Sequence, residues 1–410
     1  MINITRLRTA TSQPADHLRY GHGHGAPKTA GSRRPIVVWN ITRTCNLRCI
    51  HCYSDSAARS YPGELNASQM RGVIEDLAAY GVPGLLFSGG EPTVHPDFDE
   101  LVAFAAGHGL RVTISTNGTR ITRDRAQFFK DIGVTYVGIS LDGIGAIHDH
   151  FRGRVGAFDE AVRGFRHCHA VGQKTGLRLT LTKHNVENLE QILDFIEQED
   201  VPRACFYHLV PCGRGSELQM LEPAASRHAL DTLIDRVDTW HARGEHREIL
   251  TVTQPADGPY LLLRMKSEGH PNYEMARKLL SWNGGGSKSS GTGIANIDPQ
   301  GNVHPDQFWQ DINLGNVKNA PFSEIWEGLT PGSEPLAEIR HLGSLDSAGR
   351  RARMHGRCAS CKFFDLCGGG FRTRAAFATG DFWGSDPACY LTASEVADKS
   401  SAHLPGPLAV

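Results

Sequence analysis

Seven of the ten cysteines in this 410-residue chain fall into two groups whose spacing suits metal binding. The first group is Cys45, Cys49 and Cys52, which lie in one short loop directly after a predicted strand. Thiolates are soft ligands that select zinc, copper(I) or iron–sulfur clusters. A structural zinc ion or a complete four-iron cluster takes four protein ligands, and this loop offers three. One coordination position stays open, where a small molecule could bind to a redox-active cluster and be reduced.

The second group supplies a full set of four thiols. Its members are Cys358, Cys361, Cys367 and Cys389. From spacing alone, either zinc or an iron–sulfur cluster could use these four ligands. The three cysteines between the groups, Cys168, Cys205 and Cys212, are interpreted as small buried thiols.

The composition predicts a folded protein with no bulk affinity for nucleic acid or membranes. Forty-three Lys and Arg face 44 Asp and Glu, so the formal charge is -1, without the positive excess that favours phosphate-backbone binding. No run approaches the roughly 18 apolar residues of a membrane span, and the N-terminal segment lacks the apolar core of a signal peptide. We therefore expect a cytoplasmic protein, in which clustered thiols more often bind metal than form disulfides.

From Pro35 onward, short apolar strands alternate with helical patterns. The predicted strands are 36–40, 84–88, 111–115, 134–140, 177–182 and 204–209, each followed by a predicted helix. Six βα repeats predict an α/β fold with a parallel sheet and right-handed crossovers, either doubly wound or a partial barrel. In both architectures chemistry gathers at the carboxyl ends of the strands, which is where the first cysteine group lies.

The patterns divide the chain into three segments. Residues 1–34 carry Gly, His, Pro and Arg without a hydrophobic period and are expected to form an N-terminal arm. Residues 35–244 hold the βα repeats. Residues 245–410 are expected to form a linker and a small, loop-rich domain with little core of its own, which a metal cluster on the second cysteine group would stabilise.

The first cysteine loop, with His51 before its last cysteine, resembles the signature of the radical S-adenosylmethionine (radical SAM) superfamily. The resemblance implies a partial (β/α)6 TIM-type barrel and a 4Fe-4S cluster whose open iron binds S-adenosylmethionine. It also implies a reaction type, in which the reduced cluster cleaves S-adenosylmethionine and a 5′-deoxyadenosyl radical abstracts hydrogen from an unactivated carbon. The alternative is a zinc knuckle completed by a distant ligand.

Several strand ends resemble the superfamily's contacts to S-adenosylmethionine. The predicted cofactor-binding residues are Gly89, Gly90, Glu91, Asn117, Ser140 and Arg152. Glu91 belongs to a Gly-Gly-Glu-Pro element that meets the amino group, Ser140 resembles a ribose partner, and Arg152 resembles an arginine that pairs with the methionyl carboxylate. The alternatives are an ordinary βα turn around Glu91 and a solvated loop arginine at position 152.

The second cysteine group resembles the auxiliary-cluster half of the SPASM and twitch domains that follow many radical SAM barrels. This implies a 4Fe-4S cluster with four cysteine ligands, with zinc as the alternative. Asp306 and Phe371 stand where two-cluster members have cysteine, and Asn283 stands near another such position. We therefore expect one auxiliary cluster, hence two 4Fe-4S clusters and about eight iron atoms per chain.

Aromatic residues, a histidine and an arginine surround the end of the sixth strand. His208 and Arg214 are predicted to contact the substrate, because a macrocycle with carboxylate arms would use aromatic faces, an imidazole and a guanidinium. The alternatives are a strand-end histidine with a backbone partner at position 208 and a loop salt bridge at position 214. With the segments 37–40 and 361–369, this region resembles the tetrapyrrole-modifying branch of haem biosynthesis. Two types are similar: the AhbC type, a 12,18-didecarboxysiroheme deacetylase, and the propionate-removing NirJ type. The N-terminal extension favours the AhbC type.

The resemblance implies a tetrapyrrole substrate and a flavodoxin or ferredoxin as electron donor. One rival is a peptide-modifying maturase of the SPASM or twitch type, for which no leader-peptide recognition module is evident before Pro35. The other is a non-enzymatic cluster scaffold, which has no need of Glu91 or Arg152. Loss of S-adenosylmethionine cleavage on replacement of Cys49 by Ala would separate an enzyme from a scaffold.

Overall fold

The computed structural model describes residues 1–13, 16, 34–216, 219–283, 289–344 and 347–397. Most of the predicted N-terminal arm and the glycine run at 284–286 lie outside these ranges. No helix within them is long and apolar enough to cross a membrane.

In the described ranges, ten strands form one sheet. They are β1 (Ile2–Asn3), β2 (Ile36–Asn40), β3 (Leu85–Ser88), β4 (Val112–Thr116), β5 (Tyr136–Ser140), β6 (Thr175–Leu181), β7 (Arg203–His208), β8 (Glu248–Val252), β9 (Ile294–Ile297) and β10 (Val303–His304). Their order is β1-β8-β7-β6-β5-β4-β3-β2-β9-β10. Strands β2 to β8 are parallel and each lies beside the next in the chain.

This strand order decides between the two predicted architectures. A doubly wound sheet reverses its order at a switch point, whereas β2 to β8 follow one another without reversal. The sheet is therefore wound in one direction, like the wall of a barrel. The prediction of an α/β fold with a partial barrel is confirmed, and the doubly wound alternative is wrong.

Helices connect the parallel strands and continue into the C-terminal region. They are α1 (Ile4–Thr9), α2 (Ala67–Tyr80), α3 (Phe98–Gly107), α4 (Arg123–Asp131), α5 (Ala146–Arg152), α6 (Ala157–Ala170), α7 (Leu189–Gln198), α8 (Pro223–Ala242), α9 (Asp257–Ser267), α10 (Tyr273–Asn283), α11 (Phe322–Glu327), α12 (Glu334–Ser344), α13 (Ser347–Arg351), α14 (Phe364–Cys367), α15 (Arg372–Thr379) and α16 (Ala393–Val396).

Strand β6 illustrates how sequence period divides the two faces of the sheet. Successive side chains of a strand point to opposite faces. Leu177, Leu179 and Leu181 are buried in the main hydrophobic core. Arg178 and Thr180, which alternate with them, are only partly buried and line a cavity. The inner face of the sheet is therefore free to carry polar groups.

The first nine residues of the predicted N-terminal arm form regular structure that packs on the rest of the protein. Ile2 lies in β1, which pairs antiparallel with β8, and Ile4 and Leu7 lie on the helix that follows. All three side chains are at most 1% exposed. The short apolar spacing at positions 2, 4 and 7 was missed because it spans a single strand and turn, and its stability comes from packing on distant elements.

The sheet continues past the predicted domain boundary at residue 244. Strand β8 follows that boundary and extends the parallel sheet, and β9 pairs in parallel with β2 on the other side. The C-terminal region thus adds a strand to each side of the parallel strands β2 to β7. It is also more helical than a loop-rich domain, with α9 to α16 after β8.

Candidate functional site

A cavity of about 1130 Å3, part of it open to solvent, lies at the carboxyl ends of the parallel strands. It brings together the first cysteine group, the six predicted cofactor-binding residues and both predicted substrate residues. Among its lining residues are Cys45, Cys49, Cys52, Gly89, Gly90, Glu91, Asn117, Ser140, Arg152, His208 and Arg214. Phe308, from the C-terminal region, closes one side.

The three thiols of the first group pack on one another. Cys45 and Cys49 are buried, and Cys52 packs against them. The N–H of Leu47 donates to the Cys45 sulfur at 3.4 Å, and Nη1 of Arg152 donates to the Cys49 sulfur at 3.4 Å. Burial, followed by the charge of Glu91, raises the pKa of Cys45 to about 12. The Cys45 thiol would therefore stay protonated unless a cationic group bound it.

The chemistry of this donor set fits an iron–sulfur cluster with one open position. Three sulfurs lie in one loop, each able to take a separate iron. A zinc knuckle would need four ligands around one ion. In the described part of the chain, no three His, Cys, Asp or Glu side chains are placed for a single metal ion.

The Gly-Gly-Glu-Pro segment lies in close contact with the backbone at the start of the cysteine loop. The N–H of Gly90 donates to the Thr42 carbonyl at 2.7 Å, and the N–H of Glu91 donates to the Thr44 carbonyl at 3.0 Å. A Cβ on Gly90 would lie 2.4 Å from the Thr44 carbonyl oxygen, closer than real Cβ contacts allow. Glycine is therefore required for the close approach of the two segments.

The carboxylate of Glu91 is fully buried and ties neighbouring strand ends together. It accepts hydrogen bonds from the N–H and hydroxyl of Thr93 at 3.1 and 2.5 Å and from the Thr116 hydroxyl at 2.7 Å. It also accepts from the N–H of Asn117 at 2.6 Å. Its contact to the amino group of S-adenosylmethionine stays a prediction. Its hydrogen bonds hold the ends of β3 and β4 together at the cavity.

Asn117 and Ser140 occupy the ends of β4 and β5. The side-chain amide of Asn117 donates to Oδ1 of Asn46 at 2.9 Å, and Asn46 belongs to the cysteine loop. Ser140 lines the cavity one strand further on. Both residues line the same cavity as the first cysteine group, and their contacts to S-adenosylmethionine stay a prediction.

Arg152 is paired with a carboxylate that sequence reasoning did not single out. Its Nη2 lies 2.5 Å from Oδ2 of Asp142, and Nε2 of His51 lies 3.6 Å from the same oxygen. Burial raises the pKa of Asp142, but the charge of Arg152 together with His51 and the hydrogen bond from the Thr180 N–H outweighs burial and lowers that pKa. Because Arg152 is buried, the alternative of a solvated loop arginine is wrong.

Arg214 contacts the cysteine loop. Its N–H donates to the Cys52 carbonyl and its Nε donates to the Cys49 carbonyl, both at 2.9 Å. Its Nη1 lies 2.7 Å from Oδ1 of Asp55, which belongs to the same loop. Arg214 therefore fixes the cysteine loop. It also lines the cavity, and its contact to substrate stays a prediction.

His208 is buried at the end of β7 and is linked to the second cysteine group. Its Nε2 lies 3.3 Å from Oδ2 of Asp257, and the hydroxyl of Tyr390 donates to Oδ1 of the same carboxylate at 2.6 Å. Tyr390 directly follows Cys389. The sequence alone could not predict these contacts, because the three residues are far apart along the sequence.

The second cysteine group lies in the C-terminal region, with its thiols largely excluded from solvent. Cys358, Cys361 and Cys367 are buried and Cys389 is partly buried. Burial raises the pKa of Cys367 to about 12 and that of Cys389 to about 11. These four residues are the ones that would hold an auxiliary cluster in this region.

Asp306, at a position where two-cluster proteins have cysteine, is already engaged within the protein. Oδ2 accepts from the hydroxyls of Ser290 and Thr373 at 2.5 and 3.1 Å. Oδ1 accepts from the N–H groups of Phe308 and Trp309 at 2.8 and 3.0 Å. The carboxylate therefore stabilises the fold at this point.

Two family models match the chain. The one described as the radical SAM superfamily matches residues 39–196, and the SPASM model, described as an iron–sulfur cluster-binding domain, matches residues 289–362. The second match includes Cys358 and Cys361. Together they confirm the two kinds of iron–sulfur domain that the cysteine spacings predicted.

Several characterised proteins are similar over most of the chain. Fe-coproporphyrin III synthase from Methanosarcina barkeri is 43% identical, over 97% of this chain and 99% of that protein. Pre-heme d1 synthase from Dinoroseobacter shibae is 42% identical, over 89% of this chain and 88% of that protein. The mycofactocin maturase MftC from Mycobacterium tuberculosis is 32% identical, over 92% of this chain and 89% of that protein.

A solved structure shares the fold. Streptococcus suis SuiB bound to S-adenosylmethionine superposes with a TM-score of 0.67 and 17% identity, over 88% of this chain and 78% of that protein. The cysteine loop, the one-directional parallel sheet, the two domain matches and the full-length relatives lead to one conclusion. The chain belongs to the radical SAM superfamily of enzymes, among the members that carry a SPASM iron–sulfur domain.

Proposed function

We propose that this protein is a radical SAM enzyme of haem biosynthesis that removes acetate side chains from a sirohaem-derived tetrapyrrole, as a 12,18-didecarboxysiroheme deacetylase. The observation that carries the proposal is its end-to-end similarity to the Fe-coproporphyrin III synthase. The pre-heme d1 synthase has nearly the same identity over a smaller share of the chain. Removal of propionate is therefore the nearest variant of the reaction.

The first cysteine group would hold the cluster that starts the reaction. When bound there, the cluster supplies the electron that cleaves S-adenosylmethionine to a 5′-deoxyadenosyl radical, which takes hydrogen from the substrate. The chain's own part is positional. Arg152 and Leu47 donate to the sulfurs, and Arg214 fixes two carbonyls of the loop.

The second cysteine group would hold the auxiliary cluster. Four protein thiolates leave no iron open, so a relay of electrons or a structural role suits this cluster better than binding of substrate. We propose a flavodoxin or ferredoxin as the external electron donor, as the resemblance to radical SAM enzymes implies.

The tetrapyrrole would occupy the cavity beside the first cluster. Tyr207 and Phe308 offer aromatic faces on its lining, which suit a flat macrocycle. His208 offers an imidazole held by Asp257. These groups orient a ring whose reacting side chain must lie close to the radical, since such a species reacts with whatever carbon is nearest.

Similarity to a mycofactocin maturase favours a second candidate, a peptide-modifying maturase of the SPASM type. The same cavity could receive an extended peptide. The two candidates differ in the substrate that stimulates cleavage of S-adenosylmethionine.

The test is an anaerobic assay of the reconstituted, dithionite-reduced protein with S-adenosylmethionine and 12,18-didecarboxysiroheme. Mass spectrometry would follow 5′-deoxyadenosine and the tetrapyrrole, with Cys49→Ala and a mixture without tetrapyrrole as controls. We expect tetrapyrrole-dependent 5′-deoxyadenosine and loss of acetate mass. Loss of propionate mass would favour the variant reaction, and slow cleavage without any change in the tetrapyrrole would favour the peptide candidate.

A further inference from the structure

One charged side chain in the cavity has no acidic partner. Arg178 points from β6 to the inner face of the sheet and lines the cavity, with its guanidinium carbon 4.9 Å from the centre of the Tyr207 ring. Among the described residues, no Asp or Glu forms an ion pair with it. Burial lowers its pKa, but the combined effects of Tyr207, Cys205, Tyr136 and Tyr53 outweigh burial and raise it.

Other arginines of this region are paired. Arg152 pairs with Asp142 and Arg214 pairs with Asp55 at the cysteine loop. At the opposite end of the strands Arg203 pairs with Glu248. Arg178 is partly buried, and withdrawing a charge from water without a counter-ion costs free energy. The absence of an acidic partner distinguishes Arg178 from these paired arginines.

The neighbouring strand is shaped to admit this side chain. Arg178 on β6 is in register with Ser140 on β5, two residues beyond Gly138. A Cβ on Gly138 would lie 2.7 Å from Cδ of Arg178. Any larger residue at position 138 would therefore push the guanidinium stem aside, and glycine leaves the space that it occupies.

We infer that Arg178 binds a carboxylate arm of the tetrapyrrole substrate and so fixes which side chain of the ring faces the first cluster. The inference rests on the proposed function. A guanidinium presents a planar fork that matches a carboxylate with two hydrogen bonds, and the adjacent Tyr207 ring provides an apolar face for the macrocycle. Arg178 would thus be a specificity-determining residue.

The methionyl carboxylate of S-adenosylmethionine could also pair with a guanidinium, so binding of this carboxylate must be distinguished from binding of a substrate carboxylate. That end of the molecule belongs at the cysteine loop, where Arg152 lies 3.4 Å from the Cys49 sulfur. Arg178 lies in the interior of β6, three residues before the strand ends at Leu181. This placement favours the substrate as the source of the carboxylate.

The test compares Arg178→Gln and Arg178→Lys with wild type and with the exposed-site control Arg120→Gln, all as reconstituted holoenzymes with matched iron content and thermal midpoint. Absorbance titration would measure affinity for 12,18-didecarboxysiroheme and for its methyl ester. Perturbation of the reduced-cluster EPR signal would measure affinity for S-adenosylmethionine. For Arg178→Gln we expect tetrapyrrole affinity about ten- to hundredfold weaker and unchanged S-adenosylmethionine affinity.

We further expect that wild type prefers the free acid over the ester, that Arg178→Gln loses this preference, and that Arg178→Lys keeps part of it. Unchanged tetrapyrrole affinity in Arg178→Gln would overturn the inference while the proposed function stands. Weaker binding of S-adenosylmethionine alone would assign Arg178 to the methionyl carboxylate and also overturn it. A wild-type protein that binds no tetrapyrrole would overturn both proposals.

Discussion

The guanidinium of Arg374 faces the carboxylate of Asp386 with two N–O distances of 2.8 Å, and neither side chain is exposed to solvent. Asp386 also accepts from the N–H of Phe371 at 2.7 Å, and Arg374 donates to the carbonyl of Leu209 at 3.4 Å. Leu209 directly follows β7. This pair therefore joins the segment of the second cysteine group to the carboxyl end of the sheet.

Replacing Arg374 by Met should loosen that junction. Removing one partner of a buried pair leaves an uncompensated charge and costs about 3–5 kcal/mol. We expect a lower thermal midpoint and a fall in iron from about eight to about four atoms per chain, as the auxiliary cluster is lost. The control is Arg71→Met, whose exposed pair with Glu100 contributes about 0–1 kcal/mol. Equal melting of the two variants would contradict the prediction.

Gly213→Ala should disturb the first cysteine group, whereas Gly244→Ala should not. Both glycines have positive φ, 60° and 76°, so both substitutions carry a similar backbone cost of about 1–2 kcal/mol. A Cβ on Gly213 would lie 2.3 Å from the Cys52 carbonyl oxygen, while one on Gly244 would meet nothing within 4 Å. Iron analysis and the EPR response to S-adenosylmethionine should therefore change in the first variant only. A similar change in both variants would trace the effect to backbone strain.

Local sequence signals predicted the strand row and the cysteine loop well. The strand predicted at 111–115 is Val112–Thr116, and that predicted at 177–182 is Thr175–Leu181. These elements follow from the short-range spacing of apolar residues, which a single sequence shows directly. The alternation around Arg178 was legible too, since a charged residue between Leu177 and Leu179 must face away from the core.

Contacts between distant segments could not be predicted in this way. Asp257 and Tyr390 are 133 residues apart, and nothing in the sequence near either residue indicates the other. The same holds for Ile2, which is buried only because β1 adds to β8. Such pairings depend on how the elements pack, and they decide what His208 can do in the cavity.

His148 should make stability depend on pH. It is fully buried on α5, and its Nδ1 accepts from the N–H of Asp142 at 3.1 Å, which requires the neutral ring. Burial, then the charge of Arg152, lowers its pKa from 6.5 to about 3. The unfolded chain therefore binds a proton below about pH 6.5 that the folded protein rejects. The stabilisation is complete above that pH and is lost progressively as the pH falls toward the folded value.

The measurement is the urea midpoint of the reconstituted protein at pH 8 and pH 6. For wild type we expect a loss of about 1 kcal/mol from this group over that interval. His148→Gln keeps an acceptor for the Asp142 N–H and does not titrate, so it should lose that part of the pH dependence. The exposed-site control His108→Gln should keep it. The prediction fails if His148→Gln and His108→Gln respond to pH alike.

The chain should carry one auxiliary cluster. Asp306 accepts four hydrogen bonds inside the protein, from side chains and backbone N–H groups alike, and this leaves it unsuited to hold iron. Phe371, at the other position where two-cluster proteins have cysteine, is buried and packs its ring edge-on against Phe308. We expect about eight iron atoms per chain. Asp306→Asn should leave that number unchanged, and Cys389→Ala should lower it to about four. An iron content of about twelve would require ligands for a third cluster and would contradict the assignment of Asp306 and Phe371 to the fold.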